Sequence, residues 1–158
     1  MTNLETSSNK PAALSNWLPI TFLILSAIGF ADATYLTIQH FLRMPVACSV
    51  VHGCEIVLTS RFSTIGPIPI SLLGSAYYLT ILVLSVAYLD SKKTNVLNLA
   101  AKLTPVGFLT SLILVYLQIF VIHAICLYCA GSAITSTLLF IVAIVYLRKN
   151  KKTSQTSL

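Results

Sequence analysis

The chain has 158 residues and a formal net charge of +6; 56% of its residues are hydrophobic and only 9% are charged. A soluble globular domain carries about 25% charged residues to cover its surface. A soluble domain is therefore excluded, and the chain reads as an all-α integral membrane protein.

In chain order, residues 1–15 are polar and Ser/Thr-rich and read as a disordered tail. The first span runs from Trp17 to Ile38 and is apolar except for Asp32. Ala31-Asp32-Ala33 has the small residues of a leader cleavage site. The apolar run continues past Ala33, however, and only one Lys precedes Trp17, so the segment reads as retained. A loop from about Gln39 to Thr64 leads to the second span, Ile65 to Leu89, which holds no charge. Leu103 to Leu147 is a run of 45 residues without Asp, Glu, Lys or Arg. As helix that run would be about 67 Å long, enough to cross a bilayer twice. We divide it at His123-Ala124-Ile125-Cys126 into spans Leu103 to Ile122 and Leu127 to Leu147, a tight antiparallel hairpin. Residues 149–158 form a basic, polar tail. The membrane domain is thus 16–148, a four-transmembrane-helix bundle. A β-barrel is disfavoured, because its strands would alternate apolar and polar residues.

Basic residues orient the spans. Lys10, Lys92, Lys93, Lys102, Arg148, Lys149, Lys151 and Lys152 fall in the tails and the loop between spans 2 and 3; only Arg43 and Arg61 fall in the first loop. Both termini are expected in the cytoplasm, and the first loop and the 3–4 turn outside. The positive charge is thereby topological, and no nucleic-acid partner is needed to account for it.

All four cysteines fall on the expected outer face, where disulfides form and persist. Cys48 and Cys54 lie in the first loop; Cys126 and Cys129 form a C-x-x-C opening the last span. A helix N-terminus favours a thiolate, so this pair is expected to be redox-active, with Cys126 exposed and attacking and Cys129 one turn deeper. The alternative is a non-catalytic membrane protein with structural disulfides or a cysteine metal site. Zinc fits poorly, because Cys48 and Cys54 are separated by five residues rather than two.

These residues resemble the vitamin K epoxide reductase family, in its bacterial disulfide-forming branch. The matching pattern is Cys48-x5-Cys54, then Glu55-Ile56-Val57-Leu58-Thr59-Ser60-Arg61-Phe62, then Gly66-Pro67-Ile68-Pro69-Ile70 leading into Gly74-Ser75-Ala76-Tyr77-Tyr78, then Cys126-Leu127-Tyr128-Cys129. It covers about Leu18 to Tyr146. The resemblance implies a four-helix bundle around a quinone, ubiquinone or menaquinone, capped by the outer loop between spans 1 and 2. It implies a quinone-dependent thiol–disulfide oxidoreductase in a bacterial cytoplasmic membrane. A thioredoxin-like partner outside the cytoplasm would give electrons to the Cys48/Cys54 pair, Cys54 would exchange with Cys126, and Cys129 would reduce the quinone. Many bacterial members carry the thioredoxin-like domain after the last helix; this chain stops at Leu158, so a separate partner is expected. Ser60, Leu58, Tyr78 and Ile122 are the implied quinone-binding residues, with Ser60 equally readable as a helix cap. The sequence departs from vertebrate members at Ile70 and Ala133, where they place an amide and a tyrosine, which favours a plain quinone over an epoxide. The other quinone-linked bacterial disulfide oxidase has its C-x-x-C in the first outer loop, the reverse of the order here.

Asp32 is a charge inside a span, a functional candidate by default, unless it reaches the interface or hydrogen-bonds a neighbouring helix. His40, His52 and His123 lie near the outer side as proton carriers or interfacial residues. Tyr77, Tyr78 and Tyr128 can line a pocket or simply pack. Gly74, Gly131, Ser132 and Ala133 are small enough for close helix contact.

Overall fold

A computed structural model of the chain describes residues 17–42, 53–60 and 63–155. Four long helices are apolar enough to cross a membrane: α1 (Trp17–Leu42), α3 (Ile70–Ser91), α4 (Thr94–Tyr116, continued by a π-helical segment Leu117–Ile122) and α5 (Leu127–Gln155). Between α1 and α3 lie the short helix α2 (Gly53–Thr59) and a small hairpin, β1 (Thr64–Ile65) with β2 (Ile68–Pro69). The four spans form a ring, in which α1 packs on α3 and α5, and α4 packs on α3 and α5.

Every span is apolar all round, so the buried side is not marked by hydrophobicity. Small and hydroxyl residues mark it instead: Ser26, Gly29, Ala33, Ser85, Ala100, Ala101, Thr104, Thr135, Ser136 and Ala143 are buried. Such residues let helix backbones approach closely where lipid offers no hydrophobic drive for association. The larger core side chains are Leu18, Phe22, Tyr78, Ile81, Leu97, Leu139 and Tyr146. Ile24, Val83, Leu109, Ile113 and Ile134 point outward, a surface suited to lipid. Phe108 stacks on Phe140 at 4.7 Å, and Ser111 Oγ meets Ser136 Oγ at 2.6 Å, joining α4 to α5. Pro105 has no N–H to give the Ala101 carbonyl; the Thr104 hydroxyl donates to that carbonyl at 2.8 Å instead.

The connections differ from the sequence reading in two places. The α3–α4 link is only Lys92 and Lys93, with Lys92 left-handed (φ 53°) and its N–H donating to Tyr88 O at 2.8 Å. Lys102 therefore lies within α4, because a charge ends an apolar run without ending a helix. Likewise α5 continues to Gln155, past the expected tail boundary at 149. No Pro or Gly interrupts that stretch, and basic side chains suit a helix C-terminus. The division at 123–126 holds: this is the non-helical turn between the π segment and α5. The 1–15 tail, Arg43, Arg61 and His52 lie outside the described residues.

The α1–α3 connection returns through the two-residue turn Gly66-Pro67. Gly66 has φ +64°, as the first central position of a primed hairpin turn requires. This turn, α2 and the 123–126 turn share one end of the bundle. Lys92, Lys93 and Arg148 lie at the opposite end.

Candidate functional site

Two separate stretches of chain meet at the α2 end. Cys54 and Val57, one turn apart on α2, bury one face of that short helix, while Ile56 points away. That face covers Cys126; Ile122, Ala124, Tyr128 and Cys129 complete the cluster. Cys54 is 1% exposed and Cys126 0%. Cys54 is disulfide-bonded, whereas Cys126 and Cys129 are free thiols. A disulfide sulfur and a buried thiol thus lie in one apolar enclosure. Cys48 lies outside the described residues.

The expectation that Cys126 is the exposed cysteine is corrected. It is the more buried of the pair, and Cys129 is half-buried. The cause is α2, which lies over Cys126 and leaves it facing Cys54.

Cys126 precedes the first turn of α5, where a serine would cap the helix. Its sulfur takes that part, accepting the Cys129 N–H at 3.4 Å. The hydrogen bond from the Cys129 thiol, with the N–H groups of Cys129 and Tyr128, lowers the Cys126 thiol to about 7. Burial and the Asp32 carboxylate oppose that shift. Cys126 is thereby in substantial part a thiolate at neutral pH, the form that exchanges with disulfides, and it faces Cys54.

The backbone of Cys126 is held from the other side of the turn. Gln118 is buried in the π segment, and its Oε1 accepts the Cys126 N–H at 3.2 Å. Its backbone carbonyl accepts the N–H of Ala124 at 3.1 Å and that of His123. His123 is left-handed (φ 53°) and ends the π segment. Gln118 was not singled out from the sequence. The available signal was an amide within the uncharged run, together with the tendency of π bulges to sit at functional sites.

Ser60 donates its hydroxyl to Val57 O at 2.7 Å, and its N–H reaches the same oxygen at 3.3 Å. It closes the last turn of α2. Leu58 is half-buried, and Ile122 packs against the Cys54–Cys126 cluster. Tyr78 is buried across the bundle diagonal: its hydroxyl donates to Ser132 O at 2.7 Å and lies 3.0 Å from Thr135 Oγ1. Its ring occupies the space that a side chain at Gly29 would need. Tyr77 instead packs against Gly107 of α4.

Asp32 is nearly three turns inside α1, and its Oδ2 is buried without a hydrogen-bond partner. Neither expected resolution, reaching the interface or bonding a neighbouring helix, applies to that oxygen. His40 is half-buried with its ring edge-on to Phe41, and His123 is exposed. Among the described residues no group of three His, Cys, Asp or Glu side chains is placed to hold a metal ion, and a disulfide-bonded Cys54 is not a thiolate ligand.

The family model described as "Vitamin K epoxide reductase family" matches the sequence over residues 20–144, from α1 into α5. No curated protein matches the chain.

Proposed function

The chain belongs to the vitamin K epoxide reductase family and is accordingly a multi-pass membrane thiol–disulfide oxidoreductase; we propose that it reoxidises a thioredoxin-like protein outside the cytoplasm and passes the electrons to a membrane quinone. The observation that carries this reading is the burial of disulfide-bonded Cys54 against the low-pKa thiol of Cys126. With Cys126 and Cys129 free, Cys48 is the partner we assign to Cys54.

The cycle balances as follows. A partner thiolate attacks Cys48 and releases Cys54. Cys54 attacks Cys126 of a Cys126–Cys129 disulfide and frees the Cys129 thiol. The partner's second thiol displaces Cys48 and leaves with its own disulfide. Cys48 then attacks Cys54, restoring the loop disulfide and freeing Cys126. Cys126 and Cys129 close their disulfide as two electrons and two protons pass to the quinone. The pairing present, Cys54 bonded and Cys126 and Cys129 free, corresponds to the stage before that last step.

The surroundings of Cys129 fit a lipid-soluble acceptor. The thiol is half-buried in a cluster with Ile122, Ala124 and Tyr128. Ile122 and Leu58 would contact the ring. Ser60 and Tyr78, whose hydroxyls bond Val57 and Ser132, would shape the site from behind rather than donate to the quinone. We place it in a bacterial cytoplasmic membrane; the distribution of Lys and Arg supports an orientation with the cysteines outside and the termini inside.

The test is turnover. Purified chain with reduced thioredoxin and ubiquinone-1 should consume the quinone's ultraviolet absorbance, and Cys126→Ala should not. Wild-type protein that turns over with neither ubiquinone-1 nor a menaquinone analogue would remove this reading.

A further inference from the structure

Among the described residues, Asp32 is a carboxyl close to the reacting groups and without an assigned task. Asp32 lies between two contacts on the same face of α1. One turn before it, Gly29 packs against the Tyr78 ring; one turn after it, Tyr35 meets Tyr128 with ring centroids 5.2 Å apart. Tyr78 in turn reaches Ser132, one turn beyond Cys129 on α5. Asp32 is thus enclosed by α1, α3 and the first turns of α5, level with the C-x-x-C pair. Electrostatic interaction joins it to Cys129, Cys126, Tyr128 and Tyr78, which are the titratable groups facing it from α5 and α3. Among the described residues, no Lys or Arg is one of them. An ionisable group in a span, buried at one oxygen and unpartnered there, is expensive to keep for packing alone.

We propose that Asp32 is the proton acceptor for the Cys129 thiol and hands that proton on as the Cys126–Cys129 disulfide closes. The inference rests on the quinone-linked reading above. Two S–H groups are lost and one S–S bond forms; two electrons reach the quinone, which leaves as quinol. Cys126 leaves its disulfide with Cys54 as a thiolate, and the hydrogen bonds from Cys129 and Tyr128 keep it largely so near neutral pH. The Cys129 proton goes to the Asp32 carboxylate and from there to one quinol oxygen. The second quinol proton comes from the outer water. Asp32 ends the cycle as it began. The arrangement gives the deeper thiol, half-buried beside Ile122, Ala124 and Tyr128, a base within the bundle.

The experiment compares wild type, Asp32→Asn and Asp32→Glu as full-length protein in detergent, with two readouts. The first is ubiquinone-1 reduction with dithiothreitol as electron donor. Asp32→Asn should slow it about 10²-fold, the usual effect of losing a positioned acid–base group, and Asp32→Glu should recover most of it. The second needs no quinone: maleimide labelling of Cys129 in a Cys126→Ala background, followed against pH. Asp32→Asn should change the pH profile of that labelling, and Asp32→Glu should restore it. An Asp32→Asn protein with the wild-type labelling profile overturns the proposal, whatever its quinone activity. A changed profile in a protein that reduces no quinone even as wild type upholds the Asp32–Cys129 proton exchange and removes the quinone reading instead.

Discussion

The side chain of Gln118 accepts the backbone N–H of Cys126 at 3.2 Å, across the turn that joins the π segment to α5. The contact ties the redox cysteine to the preceding span by its main chain, so the turn cannot move without moving the thiol. Gln118→Leu leaves that N–H buried and unpaired, which costs about 1–3 kcal/mol. The expected result is a lower midpoint in denaturant unfolding together with slower turnover. Gln118→Glu, which still presents an acceptor oxygen, should lose less turnover than Gln118→Leu. Equal turnover in both variants would show that the contact does not position Cys126.

The Cys126 thiol should titrate near neutrality. Its folded value of about 7 lies below that of an ordinary thiol, so the thiolate persists as pH falls toward 7 and is lost below it. In fully reduced protein, alkylation of Cys126 should rise with pH and level off above about 7. The largest contribution is the hydrogen bond from the Cys129 thiol. Cys129→Ala should therefore move the midpoint upward, toward the ordinary value of about 8.5. A midpoint unmoved by Cys129→Ala would contradict that cause.

Gly29 and Tyr78 make a close approach between α1 and α3, since a Cβ at position 29 would run into the ring. Gly29→Ala is expected to destabilise by about 1–3 kcal/mol, the usual cost of overpacking a filled core. Tyr78→Phe keeps the ring and loses the bonds to Ser132 and Thr135, for about 1 kcal/mol. Thermal unfolding of the two variants should rank them in that order.

The architecture was largely legible in the sequence because lipid leaves few choices. An uncharged run of this length must be helix and must turn once, and His123 to Cys126 is where the chain turns. Helix ends were less legible: Lys102 and the stretch from Lys149 to Gln155 are charged or polar yet helical, since a charge ends an apolar run without ending a helix. Family membership was legible in four cysteines and their neighbours. The burial order of Cys126 and Cys129 was not, because it depends on α2 folding over the turn, a contact between residues some seventy positions apart. Gln118 and Asp32 were equally hard to interpret. A lone polar residue in a span announces itself, but its partner is set by the three-dimensional arrangement.

The central claim is that Cys54 and Cys126 exchange electrons directly. The most direct measurement is the disulfide state of the Cys48→Ala/Cys129→Ala double variant, read as a gel shift after thiol labelling. Each remaining cysteine then has only the other to pair with inside the chain. The account predicts an intramolecular Cys54–Cys126 disulfide, protected from labelling until dithiothreitol is added. Both cysteines fully labelled under oxidising conditions would contradict it.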